Sequence, residues 1–412
     1  MKADGLARRT ALLGAGALLA SACSGPLHDD VLDVRSFGDV LTDGSGALRR
    51  GLAAASTEGA VLEVPAGVTV RMKSPVVVPG GVRLRGAGSL VGVAQRSRLL
   101  TLSGEGIEVS GLRLRSAGPA LGTFIVVADG ARDVRIDGVS VRGATTGVTL
   151  ASGSRDVHIS DGGFREVSCG VSLRGDVQQV RITASRFQSW SDRAVWVVGV
   201  SSASPKDVEI SGCVIDPPRP NGKVRQPIQV NGHDDRPLER VKVVGNRVRG
   251  PGTSYHDRHH AGSADLISLH RCTDFTVRGN VVLDGGDVGI TVSQQSHDGV
   301  VEDNICRRND SVGICIGSRS SRRVSDISVR NNTCEDNGQD RLSDGRDWAL
   351  SGVLVANGQR ITVTDNTFRD TGGGTQRNAV SVLGSDIEVS GNFMTSPKEN
   401  ILADQSSTVT SR

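Results

Sequence analysis

The chain has 412 residues and a formal net charge of +3, with 53 glycines and only 3% aromatic residues. The near balance of charges gives no electrostatic reason to expect nucleic acid as a partner. After the N-terminus, no stretch is apolar and long enough to span a membrane. Abundant glycine and few aromatic residues favour short strands and tight turns around a narrow aliphatic core.

Residues 1–22 are typical of an export signal. A charged segment containing Arg8 and Arg9 precedes the apolar run ALLGAGALLA, as in twin-arginine signal peptides. Cys23 follows the small residues ASA, which leaves two processing routes open. Either a lipid is attached to Cys23 or an ordinary signal peptidase cuts before it. The sequence therefore predicts an exported protein, secreted or periplasmic in one case and a lipid-anchored surface protein in the other.

Residues 23–34 are predicted to form a linker, and residues 35–81 an N-terminal cap. Within the cap, Leu48 and Leu52 lie four residues apart and predict a helix from roughly Gly46 to Ala55. Such a helix would cover strand edges that are otherwise free to pair with other chains.

A short pattern recurs twelve times between residues 82 and 396: two apolar residues separated by one position and followed, two positions later, most often by Gly, Asp or Asn. Glycine replaces the first apolar residue in one copy. The first positions are Val82, Ile107, Val134, Val157, Val180, Val208, Val241, Phe275, Gly299, Ile327, Ile361 and Ile387. The intervals of 23 to 34 residues suit three short strands and three turns, and no helical period separates the copies. The pattern predicts an all-β, single-chain parallel β-helix of about twelve coils.

The sixth position of the pattern is asparagine in six successive copies, namely Asn246, Asn280, Asn304, Asn332, Asn366 and Asn392. Stacked amides can hydrogen-bond from coil to coil. This asparagine ladder, with the opening VRSFGDVLTDGSGALRRGLAAASTEGAVLEVPAGV, resembles the pectate-lyase-like superfamily of right-handed parallel β-helices. The resemblance implies a right-handed coil with an N-terminal helical cap. Residues 397–412 are interpreted as a C-terminal tail.

A second apolar strand completes each coil, and its outward residues form a predicted row: Trp196, Gln229, Ser268, Thr291, Cys315 and Leu354. Three long turns, 217–226, 250–265 and 334–351, precede strands of this set. Because long turns carry function in repetitive scaffolds, we expect them to wall a groove over this row.

Three acids come just before consecutive strands of the second set: Asp265, Asp287 and Asp310. Asp265 and Asp287 are 22 residues apart, about one coil, so stacking should bring their carboxylates close together. Neighbouring carboxylates supply the acid and the base that glycoside hydrolysis needs. The segments ADLISL, GDVGITV and VGICIGS resemble the strand entries of polygalacturonase-like hydrolases. That resemblance implies that Asp265 and Asp287 are the catalytic acids, although Val288 and Val312 replace an acid and a histidine of that family. A solvated turn or Ca²⁺ binding is the alternative interpretation of these acids.

A basic cluster lies nearby in SYHDRHH and LHR. His270 ends its strand as the histidine of the Asp-Pro-His motif does in alginate C5-epimerases, which share the predicted fold. In a β-elimination lyase, His270 or Arg271 would remove the C5 proton and Tyr255 would protonate the leaving oxygen.

The leading hypothesis is therefore an exported glycoside hydrolase that uses Asp265 and Asp287, with Asp310 or His270 assisting. A polysaccharide lyase or uronate C5-epimerase is the first alternative, and a non-catalytic carbohydrate-binding adhesin is the second. The predicted substrate-binding residues are Trp196, Trp348, Gln229, His233, Arg258 and Arg319. We expect a polysaccharide partner, no nucleic acid, a monomer, no structural metal and no required cofactor; Ca²⁺ held by turn carboxylates such as Asp234, Asp235 and Asp257 is the one alternative.

Overall fold

A computed structural model describes residues 30–93, 98–118, 122–219, 225–252, 265–319, 321–338, 349–371, 375–395 and 399–411. Its one α-helix among these residues, α1, spans Gly44–Glu58 and follows a short 3-10 helix at Val34–Phe37. The carboxylate of Asp43 accepts a hydrogen bond from the Ser45 N–H and so caps the first turn of α1. Gly59 ends the helix in the left-handed conformation.

The predicted helical cap is present and is longer than expected. Leu48, Leu52 and Ala55 are buried in the same core as the strands of the first coil. Their spacing places them on one face of α1, which therefore covers the open end of the coil stack.

The strands form three long parallel sheets, and consecutive strands of the chain enter different sheets in turn. The 15 strands of sheet A are β1 Val31–Asp33, β2 Val61–Glu63, β5 Arg83–Arg85, β8 Glu105–Ser110, β11 Arg132–Asp137, β14 Arg155–Ser160, β17 Gln178–Thr183, β20 Lys206–Ser211, β23 Leu238–Val244, β26 Cys272–Arg278, β29 His297–Glu302, β32 Val324–Arg330, β35 Gly358–Thr364, β38 Asp386–Ser390 and β41 Thr408–Ser411.

Sheets B and C have 13 strands each. Those of sheet B are β3 Thr69–Met72, β6 Ser89–Gly92, β9 Arg113–Ser116, β12 Ser140–Arg142, β15 Gly163–Arg165, β18 Arg186–Gln188, β21 Val214–Ile215, β24 Arg247–Arg249, β27 Val281–Leu283, β30 Ile305–Arg307, β33 Thr333–Glu335, β36 Thr367–Arg369 and β39 Phe393–Thr395. Those of sheet C are β4 Val76–Pro79, β7 Leu100–Ser103, β10 Thr123–Val127, β13 Thr146–Leu150, β16 Cys169–Arg174, β19 Arg193–Val198, β22 Ile228–Asn231, β25 Ile267–His270, β28 Ile290–Ser293, β31 Ile314–Gly317, β34 Ser351–Ala356, β37 Asn378–Leu383 and β40 Glu399–Ala403.

The recurring sequence pattern corresponds to the strands of sheet A. Its two apolar positions, such as Val134 and Ile136 in β11, point into the core and are buried. Its fifth position has a left-handed backbone, as at Asp303 (φ 56°) and Asp365 (φ 55°), which explains the preference for Gly, Asp and Asn there.

The coil is about 13 turns long rather than 12, and it extends beyond both predicted ends. Strands β2 to β4 already belong to the three sheets, so the cap proper is shorter than residues 35–81. At the other end, β40 and β41 continue sheets C and A through residues interpreted from the sequence as a tail. The pattern missed these strands because small Ala403 pairs with Val382 and polar Ser411 pairs with Val389, where the other coils have larger apolar residues.

The asparagine ladder is continuous from Asn246 to Asn392, as predicted. In Asn304, for example, Nδ2 donates to Asn332 Oδ1 and to the carbonyl oxygen of Val277, both at 2.9 Å. Its Oδ1 accepts from the backbone N–H and the Nδ2 of Asn280, again at 2.9 Å. The ladder therefore satisfies polar groups that a buried turn would otherwise leave unpaired.

A second, shorter amide ladder lies at the turn into sheet C, and the sequence pattern did not predict it. Asn309 donates to Asn337 over 2.8 Å, and Asn337 donates to Gln376 Oε1 over 3.0 Å. Its unequal spacing and the change to glutamine hide it in the sequence.

The six cysteines of the described ranges are free thiols, and all but Cys315 are buried. The buried cysteines pack as small apolar residues, and no disulfide is formed among the described cysteines, even though Cys306 and Cys334 are partners on adjacent strands.

Candidate functional site

The outer face of sheet C contains the predicted row of side chains in the predicted register. Trp196 pairs with Gln229, then follow Ser268, Thr291, Cys315 and Leu354 on successive strands. The row is not uniformly open, because Ser268 and Thr291 are only 0% and 7% exposed.

A polar cavity of about 460 Å³ lies against this face, at the end of strands β25 and β28. Its lining comes from several successive coils: Asp234, Asp265, His270, Arg271, Thr291, Ser293, Gln294, Gln295, Ser318, Ser321 and Arg322. Asp265, His270 and Arg271 were predicted from the sequence as catalytic residues, and the fold brings all three to this cavity.

His270 is held between two serine hydroxyl groups. Its Nε2 lies 2.5 Å from Ser268 Oγ, and its Nδ1 lies 2.7 Å from Ser293 Oγ. Burial, together with the neighbouring positive charge of Arg271, lowers the pKa of His270 to about 4. The imidazole is therefore neutral at physiological pH, with one nitrogen able to accept a proton.

Two arginines, Arg271 and Arg322, lie among the residues that line the cavity. Arg271 donates to Asn231 Oδ1 over 3.0 Å and forms an ion pair with Asp234. Arg271 lowers the pKa of the Asp234 carboxyl group, and Arg322 contributes in the same direction. The side chain of Arg322 is exposed. Guanidinium groups at a cavity rim suit a carboxylate ligand.

The three acids differ in position. The Leu266 N–H donates to the carbonyl oxygen of Val288, which puts Asp265 beside Val288 rather than beside Asp287. Asp265 is 4% exposed and lines the cavity, whereas Asp287 is partly exposed. Asp310 is only 1% exposed and does not reach the surface of sheet C.

Both acids act electrostatically on Cys315. Burial raises the pKa of the Cys315 thiol, and the negative charges of Asp265 and Asp287 raise it further. The expected close approach of the two carboxylates to each other stays a prediction.

Around these acids, apolar side chains replace polar residues of the hydrolases that the sequence resembles. Val288 and Val312 pack with Cys315, Leu354, Ala356 and Leu383 in a small buried cluster outside the main core. The predicted pair thus borders an apolar patch, and the polar residues gather around His270.

Arg193 covers one face of the Trp196 ring. The guanidinium carbon of Arg193 lies 4.6 Å from the ring centroid of Trp196. Arg193 also donates from Nε to Gln229 Oε1 over 2.5 Å and pairs with Asp192 over 2.6 Å. The predicted sugar-binding residues Trp196 and Gln229 are therefore already engaged by Arg193.

The other predicted residues lie apart from the cavity or outside the described ranges. His233 makes a backbone bridge with Arg236, and Arg319 forms an ion pair with Asp404 over 3.6 Å. Outside the described residues lie Tyr255, Arg258, Trp348, Cys23 and Asp257. Within the described ranges, no group of three or more His, Cys, Asp and Glu side chains could hold a metal ion. Calcium binding stays a prediction.

Sequence reasoning missed part of the cavity wall. Gln294, Gln295, Ser321 and Arg322 lie in turns without a recognisable motif, and the sequence offers no signal that would have singled them out. A larger concavity of about 530 Å³ covers sheet A, where Arg240 pairs with Asp207 over 2.5 Å. Of the two, the cavity of about 460 Å³ against sheet C, called the sheet C cavity below, is the stronger candidate site, because it contains Asp265, His270 and Arg271, which the sequence predicts as catalytic residues.

The fold and the coil register define a right-handed parallel β-helix. The family model described as "Right handed beta helix region" matches residues 123–394, and the chain belongs to this family. No curated protein matches the sequence. Among the described residues, no helix is long and apolar enough to cross a membrane.

Several solved structures have the same fold. The A-module of a mannuronan C-5 epimerase from Azotobacter vinelandii is 16% identical, with a TM-score of 0.56 over 92% of this chain and 100% of that one. An α-1,3-glucanase catalytic unit from Streptomyces thermodiastaticus is 15% identical, with a TM-score of 0.61 over 95% and 70%. The Streptococcus pneumoniae surface protein and adhesin PfbA is 13% identical, with a TM-score of 0.62 over 92% and 100%. At these identities the likeness concerns the fold alone.

Proposed function

We propose that this protein is an enzyme that acts on a uronate-containing polysaccharide in the sheet C cavity, by removing a proton from the carbon next to the carboxylate. The observation that carries the proposal is the neutral imidazole of His270 beside Arg271 and Arg322 in one cavity. A neutral imidazole can accept a proton, and two guanidinium groups can stabilise the negative charge that develops on the substrate carboxylate.

In this reaction the C5–H bond breaks, its proton moves to His270, and the electron pair is delocalised onto the carboxylate. In elimination the C4–O bond then breaks, a C4=C5 double bond forms and a water or a protonated Asp265 gives a proton to the leaving oxygen. In epimerisation the same donor returns a proton to the opposite face of C5. Asp265 lines the same cavity and is the second group able to carry a proton there. A mannuronan C-5 epimerase is among the proteins of similar fold.

Glycoside hydrolysis by Asp265 and Asp287 is the second candidate, supported by the effect of both acids on Cys315. The proposed chemistry takes precedence because, of the two acids, Asp265 alone is among the described residues that line the cavity.

The decisive experiment follows C5–H exchange in D₂O by NMR with a panel of polyuronates and purified protein. Deuterium at C5, or an unsaturated uronate end, is the expected result. New reducing ends without either signal support hydrolysis by the acids. Binding without any reaction supports a carbohydrate-binding adhesin, and these last two results reject the proposal.

We further propose that the protein is exported and that Cys23 carries a lipid. The twin arginines and the residues before Cys23 support this. Metabolic labelling with a tritiated fatty acid should mark the wild type and fail to mark Cys23→Ala. An unlabelled wild type recovered in the medium would instead indicate ordinary signal peptide cleavage.

A further inference from the structure

Two polar atoms in the cavity wall have no hydrogen-bond partner among the described residues: Thr291 Oγ1 and Gln294 Oε1. Both atoms are buried, and Thr291 as a whole is only 7% exposed. Native structures leave few buried polar atoms unsatisfied, because each loses its hydrogen bonds to water without replacement. These two atoms therefore indicate that a ligand or an ordered water completes the wall.

The backbone around Gln294 is unusual as well. Gln294 and Gln295 both have positive φ angles, 56° and 67°, in direct succession. The Ser296 hydroxyl donates to the carbonyl oxygen of Ser293 over 2.7 Å and fixes this turn. Left-handed backbone at residues other than glycine recurs at turns along the whole coil, but Gln294 and Gln295 are the one consecutive pair of this kind among the described residues. Both glutamines line the cavity.

The chemistry of the unpaired atoms restricts the ligand. An amide oxygen only accepts hydrogen bonds, so Gln294 Oε1 requires a donor, and Thr291 Oγ1 can donate or accept. Ser268 and Ser293 already bond to His270. A ring that offers hydroxyl donors to Gln294 and Thr291 and a carboxylate to the arginines meets all of these requirements.

We infer that Thr291 and Gln294 are specificity-determining residues that bind free hydroxyl groups of the sugar unit in the cavity, so that the protein selects unsubstituted polyuronates over O-acetylated ones. The inference rests on the proposed function, since the same cavity holds the sugar. An acetyl ester removes the O–H donor and leaves Gln294 Oε1 unpaired, and sites built for a hydroxyl discriminate strongly against analogues without it.

The test measures binding by isothermal titration calorimetry with hexamers of mannuronate and galacturonate, their O-acetylated forms and a neutral glucan hexamer. Wild-type protein should bind at least one unsubstituted uronate hexamer and bind its O-acetylated form about tenfold or more weakly. Thr291→Val should lower affinity for the unsubstituted form by about tenfold, while its melting temperature stays equal or rises because an unpaired buried hydroxyl is removed. Gln294→Met should reduce the preference against acetylation. Thr362→Val, the same substitution on the outer face of sheet A, is the control and should bind like wild type.

Each outcome separates this inference from the proposed function. If folded Thr291→Val binds like wild type, water alone satisfies these atoms and the inference is overturned. If wild type binds only the neutral glucan and Thr291→Val weakens that binding, the hydroxyl contacts stand and the uronate substrate is rejected. If wild type binds no hexamer, both are rejected. Circular dichroism checks folding, and Thr291→Val alone decides the matter if Gln294→Met does not fold.

Discussion

The asparagine ladder and the sheet C cavity are two polar regions of the same coil, and they differ in how completely their hydrogen bonds are made. In the ladder, Asn304 uses both its amide donors and its carbonyl oxygen, each over about 2.9 Å. In the cavity, Thr291 and Gln294 each keep an unpartnered buried atom among the described residues. The difference indicates two roles for buried polar residues. The ladder asparagines stabilise the fold, whereas Thr291 and Gln294 are the residues that we infer to bind the sugar.

The largest expected effect is on catalysis. His270→Gln keeps a polar side chain of similar size but removes the proton acceptor, so kcat should fall by about 10²- to 10⁴-fold. The melting temperature should change little. The fall in kcat is measured by comparing C5–H exchange rates of wild type and His270→Gln at saturating substrate. Unchanged exchange in the variant would exclude His270 as the base.

The next effect is on stability. Asn304→Ala in the middle of the ladder should lower the free energy of unfolding by about 3 kcal/mol, because it leaves buried groups of Asn280, Asn332 and Val277 unpaired. Asn392→Ala, at the half-buried end of the ladder, is the matched control and should cost about 1 kcal/mol. Urea denaturation followed by circular dichroism compares them. Equal losses of unfolding free energy in the two variants would show that burial does not determine how much a ladder asparagine stabilises the fold.

The pH dependence distinguishes the cavity from an exposed histidine. The pKa of His270 is lowered from 6.5 to about 4, so the folded protein binds fewer protons than the unfolded chain between these values. Stability from this group is therefore fully present above pH 6.5 and declines as the pH falls towards 4. His270→Gln should lose this dependence. The acid limb of kcat/KM should lie near pH 4, and a limb near 6.5 would contradict a buried base.

The smallest effect concerns the rim. Arg322→Gln should lower kcat/KM by roughly two- to fivefold, because an exposed charge contributes little to stabilising the developing negative charge of the substrate. The difference in kinetic constants between Arg322→Gln and wild type should become smaller at high salt. Arg323→Gln is the control. Arg323 is the next residue along the chain, but its guanidinium donates to Asn357 over 3.3 Å and Arg323 is not among the residues that line the cavity. Steady-state kinetics at two salt concentrations measure both variants.

The fold was predictable because the coil imposes a local rule on every turn. Inward positions must be apolar, and the turn must tolerate left-handed backbone. Val134 and Ile136 at inward positions and Asp303 at a turn are residue types that meet these requirements, so the sequence alone predicts the coil. The terminal strands β40 and β41 were not predicted because Ala403 and Ser411 replace the larger apolar residues that point inward in the preceding coil.

The site was predictable only in part. Asp265 and His270 stood out as functional residue types at strand ends, and stacking brought them together. The left-handed turn at Gln294 and Gln295 was hidden, because glutamine has no preference for that conformation and tertiary structure imposes it. The engagement of Trp196 by Arg193 also depends on three-dimensional packing.

The asparagine ladder also governs how this chain can change in length. Each asparagine donates to the next one towards the C-terminus, in steps of 24 to 34 residues. An insertion within a step can bulge outward as a longer turn, as the unequal steps already do. A deletion that removes a ladder asparagine without the rest of its coil breaks the amide chain and shifts the strands that follow. Within the ladder, from Asn246 to Asn392, a change in chain length therefore has two forms that keep the amide chain intact, a longer loop or one whole coil.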